Sequence, residues 1–256
     1  MKITFLGTGT SQGIPIIGSQ HPVCLSDDPK DKRLRVSISL AWEGYFFVID
    51  CGPDFRQQML SNNVRRLDGI IFTHEHADHT AGLDDIRPFF FRQGNINMYM
   101  PSRVHTSLKQ RFDYILNDKN KYPGAPSVNV NSIDKTAVFS LGNKKMIPVE
   151  VMHHKILVMG YRIDNFAYLT DVKTIAPEEK NKLKNLDVLV VNALRIEPHP
   201  SHLNLEEALA LIKELKPNRA YLTHISHLLG FHAEVEKSLP ENVFLAYDNL
   251  EITTTI

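Results

Sequence analysis

One stretch of six residues contains four potential metal ligands: His74, His76, Asp78 and His79. It directly follows an apolar run, residues 69–72, that predicts a β-strand. In extended backbone, residues two apart point to the same side, so His74 and His76 can bind one ion. A turn after them would bring Asp78 and His79 to a second ion. Mixed imidazole and carboxylate ligands are typical of catalytic zinc, manganese or iron sites rather than of closed structural zinc sites.

Further potential ligands end or follow predicted strands elsewhere in the chain: Asp50, His153, Asp171 and His224. In α/β proteins, sites form beyond the carboxyl ends of strands, which is where all four residues are expected. The carboxylate of Asp171 can place one oxygen on each of two ions held about 3.5–4 Å apart. The sequence therefore predicts a dinuclear metal site rather than a set of unrelated surface histidines.

Other motifs suggested by the sequence do not fit. An HExxH zinc-protease motif would need a histidine where Asp78 stands. Glu75 lies inside the ligand stretch as a potential general base, but the alternation of side chains in extended backbone points it away from the metals. The glycine loop at residues 7–13 fails as a dinucleotide-binding fingerprint, because its third glycine is one position late and Pro15 follows in place of a helix.

The composition limits the class of protein. The 256 residues include 29 basic and 29 acidic side chains, and this zero net charge argues against nucleic-acid affinity that rests on counterion release. An anionic substrate is still compatible, because metal ions supply positive charge locally. The two cysteines are too few for a disulfide scaffold, and no apolar run reaches the roughly 18 residues that span a bilayer. The amino end predicts a strand rather than a signal peptide, so we expect a cytoplasmic protein without a membrane partner.

Predicted strands and helices alternate along the chain, which is typical of an α/β fold. Strands are predicted at residues 3–6, 36–41, 45–49, 69–72, 96–100, 147–151, 161–163, 166–169, 188–191, 219–222, 243–245 and 251–253. Helices are predicted at residues 55–62, 103–116, 177–183, 205–215 and 233–239. Asn204 and Glu207 form an asparagine variant of the capping box before the fourth helix. Because no repeat or long linker interrupts the chain, we expect residues 1–256 to form one domain.

Taken together, these features resemble the metallo-β-lactamase superfamily, and the resemblance covers nearly the whole chain. The matching segments are residues 6–10, 49–52, 73–79, His153, 169–171 and 222–224. The resemblance implies an αββα sandwich of two mixed sheets flanked by helices, with the metals at one edge. It implies one ion held by His74, His76 and His153, a second held by Asp78, His79 and His224, and Asp171 as the bridge between them. Asp50 would then orient a ligand histidine.

Three further segments resemble one branch of this superfamily, the PhnP-type phosphodiesterases, which are related to the nuclease tRNase Z: residues 82–87, 159–163 and 200–202. True β-lactamases usually carry cysteine where Asp171 stands, and glyoxalase II relatives lack the second and third segments. In tRNase Z an arm that grips transfer RNA is inserted between the positions matching His153 and Asp171. Residues 154–170 leave no room for such an arm, so a nucleic-acid partner is not expected.

The same branch implies roles for residues outside the dinuclear site. His202 matches a histidine that acts on the scissile phosphate, and its position before a capped helix suits an anion. Arg87 and Arg162 are open to two interpretations, phosphate contacts or surface salt bridges. The superfamily often carries a structural zinc bound by a CxCxxC run and a later histidine. Here the matching residues are Ser19, His21, Cys24 and His227, so both a three-ligand site and a lost site are open.

The resemblance thus predicts a hydrolase that depends on two divalent ions, zinc or manganese, with a possible third, structural zinc. Its expected reaction is hydrolysis of a small or cyclic phosphodiester by a hydroxide that bridges the metals, with catalytic roles for Asp78, Asp171 and His202. The alternatives are a thioester or lactone hydrolase, an RNA 3′-processing nuclease, and a metal-binding protein without turnover. The apolar stretch at residues 88–91 leaves three interpretations open: a pocket lining, a core element or a homodimer contact.

Overall fold

The computed structural model describes residues 1–254, apart from the side chain of Asp118. Its strands are β1 (Lys2–Gly7), β2 (Ser37–Trp42), β3 (Tyr45–Ile49), β4 (Gly69–Ile71), β5 (Ile96–Met100), β6 (Val128–Ser132), β7 (Phe139–Leu141), β8 (Lys144–His153), β9 (Ile156–Ile163), β10 (Phe166–Leu169), β11 (Thr174–Ile175), β12 (Val188–Asn192), β13 (Arg219–Thr223), β14 (Val243–Leu245) and β15 (Glu251–Thr253). Its α-helices are α1 (Pro22–Leu25), α2 (Phe55–Ser61), α3 (Ala77–Thr80), α4 (Arg87–Gln93), α5 (Ser102–Arg111), α6 (Asp113–Leu116), α7 (Pro177–Lys180), α8 (Leu205–Leu215) and α9 (His232–Glu236).

The strands form two mixed sheets. The first has the order β15-β1-β2-β3-β4-β5-β6, and the second has the order β11-β8-β9-β10-β12-β13-β14, with β7 paired to β8. In the first sheet β3, β4, β5 and β6 run parallel, and in the second sheet β10, β12, β13 and β14 do so. Parallel strands align their carboxyl ends at one edge of each sheet, where polar side chains can converge.

Apolar side chains fill three layers. The central core lies between the sheets and joins residues such as Ile38 and Phe47 to Tyr161 and Val190. On the outer face of the first sheet, a second cluster packs helices α2, α4 and α5 against β4 and β5. On the outer face of the second sheet, a third cluster packs α8 and α9 against β12 and β13. This arrangement confirms the predicted αββα sandwich.

Local sequence signals explain several elements. The β2–β3 hairpin turns through Glu43 and Gly44, whose φ angles of 46° and 83° fit a primed hairpin turn. Helix α8 begins at the predicted capping box: the Glu207 amide donates to the Asn204 side chain, and the Asn204 amide donates to the Glu207 carboxylate, both at 3.0 Å. The hairpin and this helix were therefore predictable from neighbouring residues alone.

Other predicted elements differ from the structure. The predicted helix at residues 103–116 is broken at Phe112, whose φ and ψ of −129° and 50° are not helical, so α5 and α6 are separate. The helices predicted at 177–183 and 233–239 are shorter, as α7 and α9. Helix α4 was not predicted, nor were strands β6, β7 and β11, which are short or partly polar.

Within residues 1–254, no helix combines the length and the apolar character that crossing a bilayer requires.

Candidate metal centre

The carboxylate of Asp50 contacts the segment of residues 73–79, which carries four of the potential ligands. Asp50 follows β3, is fully buried, and accepts hydrogen bonds from the Thr73 amide and hydroxyl, each at 2.8 Å. The Thr73 oxygen lies 3.0 Å from Nδ1 of His74, and Oδ2 of Asp50 lies 2.7 Å from Nδ1 of His79. If both Nδ1 atoms donate, each imidazole presents its unprotonated Nε2 to the site, which is the form that binds a metal.

His74, His76 and His153 lie together, as the resemblance implied for one ion. Nε2 of His74 is 3.0 Å from Nδ1 of His76, and the ring centroids of His76 and His153 are 5.3 Å apart. His153 is the last residue of β8, and its Nδ1 donates to the carbonyl oxygen of Ser201 at 2.8 Å. Nε2 of His153 can therefore bind a metal ion.

Asp78, His79, Asp171 and His224 lie together on the other side of the cluster. Nε2 of His79 is 3.3 Å from Oδ2 of Asp78 and 3.1 Å from Oδ2 of Asp171. Nε2 of His224 is 3.3 Å from Oδ1 of Asp171 and 3.8 Å from Oδ2 of Asp78. The two oxygens of Asp171 thus face different histidines, which suits a carboxylate shared by two ions.

Three residues of the site adopt left-handed backbone conformations. Asp50, Asp171 and His224 have φ angles of 66°, 54° and 54°. Asp50 and His224 stand directly after β3 and β13, and Asp171 stands two residues after the end of β10, where the chain turns at the sheet edge. Such conformations are uncommon for residues other than glycine and concentrate at functional sites.

The donor set fits divalent cations. Several buried imidazole nitrogens make no hydrogen bond within residues 1–254: His79 Nε2, His202 Nδ1 and both ring nitrogens of His224. Carboxylate oxygens of Asp171 nevertheless lie 3.1, 3.5 and 3.3 Å from His79 Nε2, His202 Nδ1 and His224 Nε2. Buried polar atoms without partners are destabilising unless another group, such as an ion, satisfies them. Donor atoms lie within 4.8 Å of one another in three groups: His74, His79 and Asp171; Asp78, His79 and His224; His153, Asp171 and His202. These groups overlap at Asp171 and His79, so how the ligands divide between two ions stays a prediction.

The electrostatics of the cluster favour the metal-binding protonation states of Asp78, Asp171 and His74, whereas they favour the protonated form of His79. Burial raises the pKa of Asp78 and Asp171, but neighbouring histidines outweigh it and hold both pKa values well below their usual range. Burial lowers the pKa of His74 well below its ordinary value, so this imidazole is neutral. Burial also lowers the pKa of His79, but the surrounding carboxylates, Asp78 first, raise it well above the ordinary value. Without a metal, the His79 imidazole therefore carries a proton, which a bound metal ion would displace.

His202 lies beside both groups of ligands. Its ring centroid is 4.4 Å from that of His153 and 4.9 Å from that of His224, and its Nδ1 is 3.5 Å from Oδ1 of Asp171. Burial, followed by the proximity of His224, lowers the pKa of His202 to about 3. This position is compatible with metal binding as well as with contact to a substrate.

His199 was assigned no role from the sequence, and the structure places it beside His202. It is half-buried, and its ring centroid is 5.2 Å from that of His202. Its Nδ1 lies 3.3 Å from the donating Ser201 amide. The sequence signal that could have indicated this proximity is that His199 and His202 are three positions apart, in a segment just before the capped helix α8.

The residues matched to a structural zinc site are only partly gathered. The ring centroids of His21 and His227 are 4.7 Å apart, and Nδ1 of His227 is buried without a hydrogen-bond partner among the described residues. Cys24 is buried on α1, whereas the Ser19 hydroxyl accepts a hydrogen bond from the His21 amide. The three potential ligands do not form a group within 4.8 Å in residues 1–254, so this zinc site stays a prediction.

The two arginines proposed as phosphate contacts have other partners. Arg87 contacts Asp84 at 2.5 Å and donates to the Tyr122 hydroxyl at 3.0 Å. Arg162 donates to the backbone carbonyls of Lys182 and Lys184 at 2.6 and 2.8 Å. Both guanidinium groups therefore make structural contacts, and a contact of either with phosphate stays a prediction.

Comparisons with known proteins agree with the fold. A family model described as a beta-lactamase superfamily domain matches residues 45–225. A solved structure described as a new diphosphatase from the PhnP family is 37% identical, with a TM-score of 0.93 over 100% of this chain and 98% of that one. An octanoyltransferase of Porphyromonas gingivalis is 37% identical over 253 residues, which cover 98% of this chain and 51% of that protein. A ribonuclease Z of Methanococcus maripaludis is 28% identical over 218 residues, covering 82% of this chain and 59% of that protein.

This chain thus spans only about half the length of the octanoyltransferase and somewhat more of the ribonuclease. The PhnP-family structure, in contrast, is matched from end to end. The family match, the sandwich and the histidine–aspartate cluster lead to the same assignment. The chain belongs to the metallo-β-lactamase superfamily of hydrolases, in its PhnP-type branch.

Proposed function

We propose that the chain is a dinuclear metal-dependent phosphodiesterase that acts on a small substrate. The observation that carries this proposal is the position of Asp171, whose two oxygens face His79 and His224, with His202 3.5 Å away. The end-to-end similarity to a PhnP-family diphosphatase supports it. On that basis the scissile bond is a phosphate ester or the linkage between two phosphoryl groups.

Residues already gathered in the structure would hold the two ions: His74, His76 and His153 for one, Asp78, His79 and His224 for the other, and Asp171 for both. Bound divalent ions supply Lewis acidity, which neutralises charge on phosphoryl oxygens and makes water more acidic. The protein contributes the fixed geometry. Asp50 sets the orientation of His79, and the contact from His153 to the Ser201 carbonyl couples a ligand to the turn that carries His202.

His202 is the residue proposed to act on the departing group. With a pKa of about 3 it is neutral in the free protein, and a neutral imidazole still carries one N–H that can donate to a phosphate oxygen. An anionic substrate beside the ring raises its pKa, because a nearby negative charge favours the protonated form. His202 can therefore pass a proton to a leaving oxygen, a contribution of roughly 10²–10⁴ in rate.

A small substrate suits the chain between His153 and Asp171. Residues 156–163 and 166–169 of this interval form β9 and β10, which both pair within the second sheet. The interval therefore consists mainly of sheet, and this supports a small molecule over a transfer RNA as the substrate.

The proposal is tested with a panel of substrates. Protein loaded with zinc or manganese should hydrolyse bis-p-nitrophenyl phosphate, a small cyclic phosphodiester or a disubstituted diphosphate. The variant Asp171→Asn should lose this activity, because it removes the charged carboxylate shared by the two ligand groups. Cleavage of thioesters alone, with no phosphate substrate turned over under either metal, would overturn the proposal.

A second candidate is hydrolysis of an acyl thioester. It is favoured by the 37% identity to a protein named octanoyltransferase, although this chain matches only 51% of that protein. Metal ions polarise carbonyl and phosphoryl oxygens alike, so the ligands do not discriminate. An octanoyl thioester and a transfer-RNA precursor in the same panel test this candidate and the ribonuclease activity named for the other relative.

A further inference from the structure

The side chain of Glu75 points away from the metal ligands on either side of it. Its Oε2 lies 3.0 Å from the guanidinium of Arg103, the second residue of α5. The two side chains are 24% and 39% exposed, so the pair is partly shielded from water. The carboxylate between His74 and His76 therefore has a charged partner outside the site.

Arg103 contacts a second segment as well. The same terminal nitrogen donates to the backbone carbonyl of Leu157 on β9. Leu157 pairs with Met152 in the β8–β9 hairpin, one register position from the pair that includes His153. One guanidinium thus joins the segment that carries His74 and His76 to the hairpin that carries His153.

Helix α5, which carries Arg103, is held in place by buried side chains and by hydrogen bonds. Val104 and Leu108 of α5 are fully buried in the core on the outer face of the first sheet. Arg111, at the end of the same helix, donates to the Glu75 carbonyl at 3.1 Å and to the Thr80 hydroxyl at 2.7 Å. Helix α5 therefore holds the ligand stretch at two points.

We propose that Arg103 is a positioning residue for the ligands His74, His76 and His153. By joining the Glu75 carboxylate to the Leu157 carbonyl, its guanidinium fixes the separation of the two segments that supply them. Arg103 makes no hydrogen bond or ion pair with Asp78, His79, Asp171 or His224 among the described residues, and His79 is oriented by Asp50 instead. This inference rests on the proposed dinuclear centre.

The alternative is an ordinary surface ion pair. Exposed ion pairs contribute little, and the loss of one would not act on three ligands selectively. Loss of a residue that orients metal ligands typically weakens metal binding by about 10–100-fold. The two interpretations therefore differ in metal affinity rather than in overall stability.

The experiment measures zinc affinity by chelator competition in two single-ion backgrounds. The variant His224→Ala leaves the ligands His74, His76 and His153 intact, and His153→Ala leaves the other group. Adding Arg103→Met should weaken zinc binding about 10–100-fold in the His224→Ala background and leave it unchanged in the His153→Ala background. Arg103→Lys should recover part of the loss, because it keeps the positive charge but not the planar guanidinium whose Nη2 contacts both partners.

Two further variants act as controls. Arg66→Met removes an arginine whose ion pair with Asp68 lies elsewhere, and it should leave zinc affinity unchanged in both backgrounds. Glu75→Gln removes the charge of only one of the two partners of Arg103, so it should cause a smaller loss in the His224→Ala background. It serves as the test if Arg103→Met does not fold.

Equal weakening in both backgrounds, or no weakening in either, would overturn the positioning role while leaving the dinuclear centre intact. Failure of the unmodified chain to bind two zinc ions would overturn both the centre and this inference. The stoichiometry of the unmodified chain, read by native mass spectrometry, separates these cases.

Discussion

At the scale of single residues, Asp50 has contacts that reach the ligands of both proposed ions. It faces His79 directly at 2.7 Å and His74 through the Thr73 hydroxyl. Such a carboxylate fixes ring orientation and makes the imidazole a stronger ligand. The left-handed backbone of Asp50, at φ 66°, is of the kind that concentrates at functional sites.

We expect Asp50→Asn to weaken zinc binding by about 10–100-fold, because a neutral amide is a poorer partner for the imidazoles. Chelator competition measures this affinity. Asp54→Asn is the matched control, since Asp54 pairs with Arg35 instead and should not affect zinc. Unchanged affinity in Asp50→Asn would contradict the role of this carboxylate.

His202→Ala tests the difference between proton transfer and metal binding. Because His202 is proposed to donate to the leaving group, turnover should fall by roughly 10²–10⁴ while the zinc content stays at the level of the unmodified protein. Elemental analysis beside a turnover assay distinguishes the two roles. Loss of zinc would instead identify His202 as a ligand, consistent with its distance from Asp171.

At the scale of secondary structure, strand ends explain how much of the site was predictable. Apolar runs located the strands before Asp50, Asp171 and His224, and the fold then gathers those ends at one edge. The partner of Glu75 was not predictable, because Arg103 was assigned to a helix without any signal for the face it presents. His199 was missed for a similar reason, since the shape of a turn decides which side chains it brings together.

The N-cap of helix α8 is connected to the loop that carries Asp171. The Glu207 carboxylate closes the capping box and also accepts two hydrogen bonds from Lys173, at 2.6 and 2.8 Å. Lys173 follows Asp171 by two positions, and the Leu203 amide donates to the Val172 carbonyl at 2.7 Å. The turn that carries His202 is thereby attached to the loop that carries Asp171.

We expect Glu207→Ala to lower the free energy of unfolding by about 1–2 kcal/mol, from the lost cap and a partly exposed ion pair. Turnover should fall as well, because the His202 turn loses one of its attachments. Urea unfolding and a turnover assay measure the two effects. Glu206→Ala is the control, since Glu206 is the exposed neighbour in the same first turn. Equal effects of the two variants would contradict the link.

At the scale of the whole molecule, the chain crosses from one sheet to the other between β14 and β15. Arg33, almost fully buried, donates to the Ala246 carbonyl at 2.5 Å and to the Thr8 hydroxyl at 2.8 Å. Asp248 accepts from the Thr8 hydroxyl and the Leu34 amide, each at 2.7 Å. No sequence pattern predicted this polar cluster, because its members are far apart in the chain and meet only in the folded sandwich.

The titration of Asp248 gives the cluster a predicted pH dependence. Burial raises the pKa of Asp248 from 3.8 to about 6, although hydrogen bonds from Leu34 and Thr8 and the charge of Arg33 act in the opposite direction. A carboxyl with a raised pKa binds more protons in the folded than in the unfolded state. Its contribution to stability is therefore complete below pH 3.8 and is lost as the pH rises through about 6.

The variant Asp248→Asn removes this titration and keeps an oxygen that can accept from the Leu34 amide. Between pH 4.5 and 7, the unmodified protein should lose about 1–2 kcal/mol of unfolding free energy relative to the variant, after allowance for the partial exposure of Asp248. Denaturant unfolding of both proteins across this range measures the difference. A difference that instead moves in favour of the unmodified protein as the pH rises would mean that the nearby charge of Arg33 outweighs burial. The cluster would then stabilise the crossing between the sheets with Asp248 as a charged carboxylate rather than as a protonated acid.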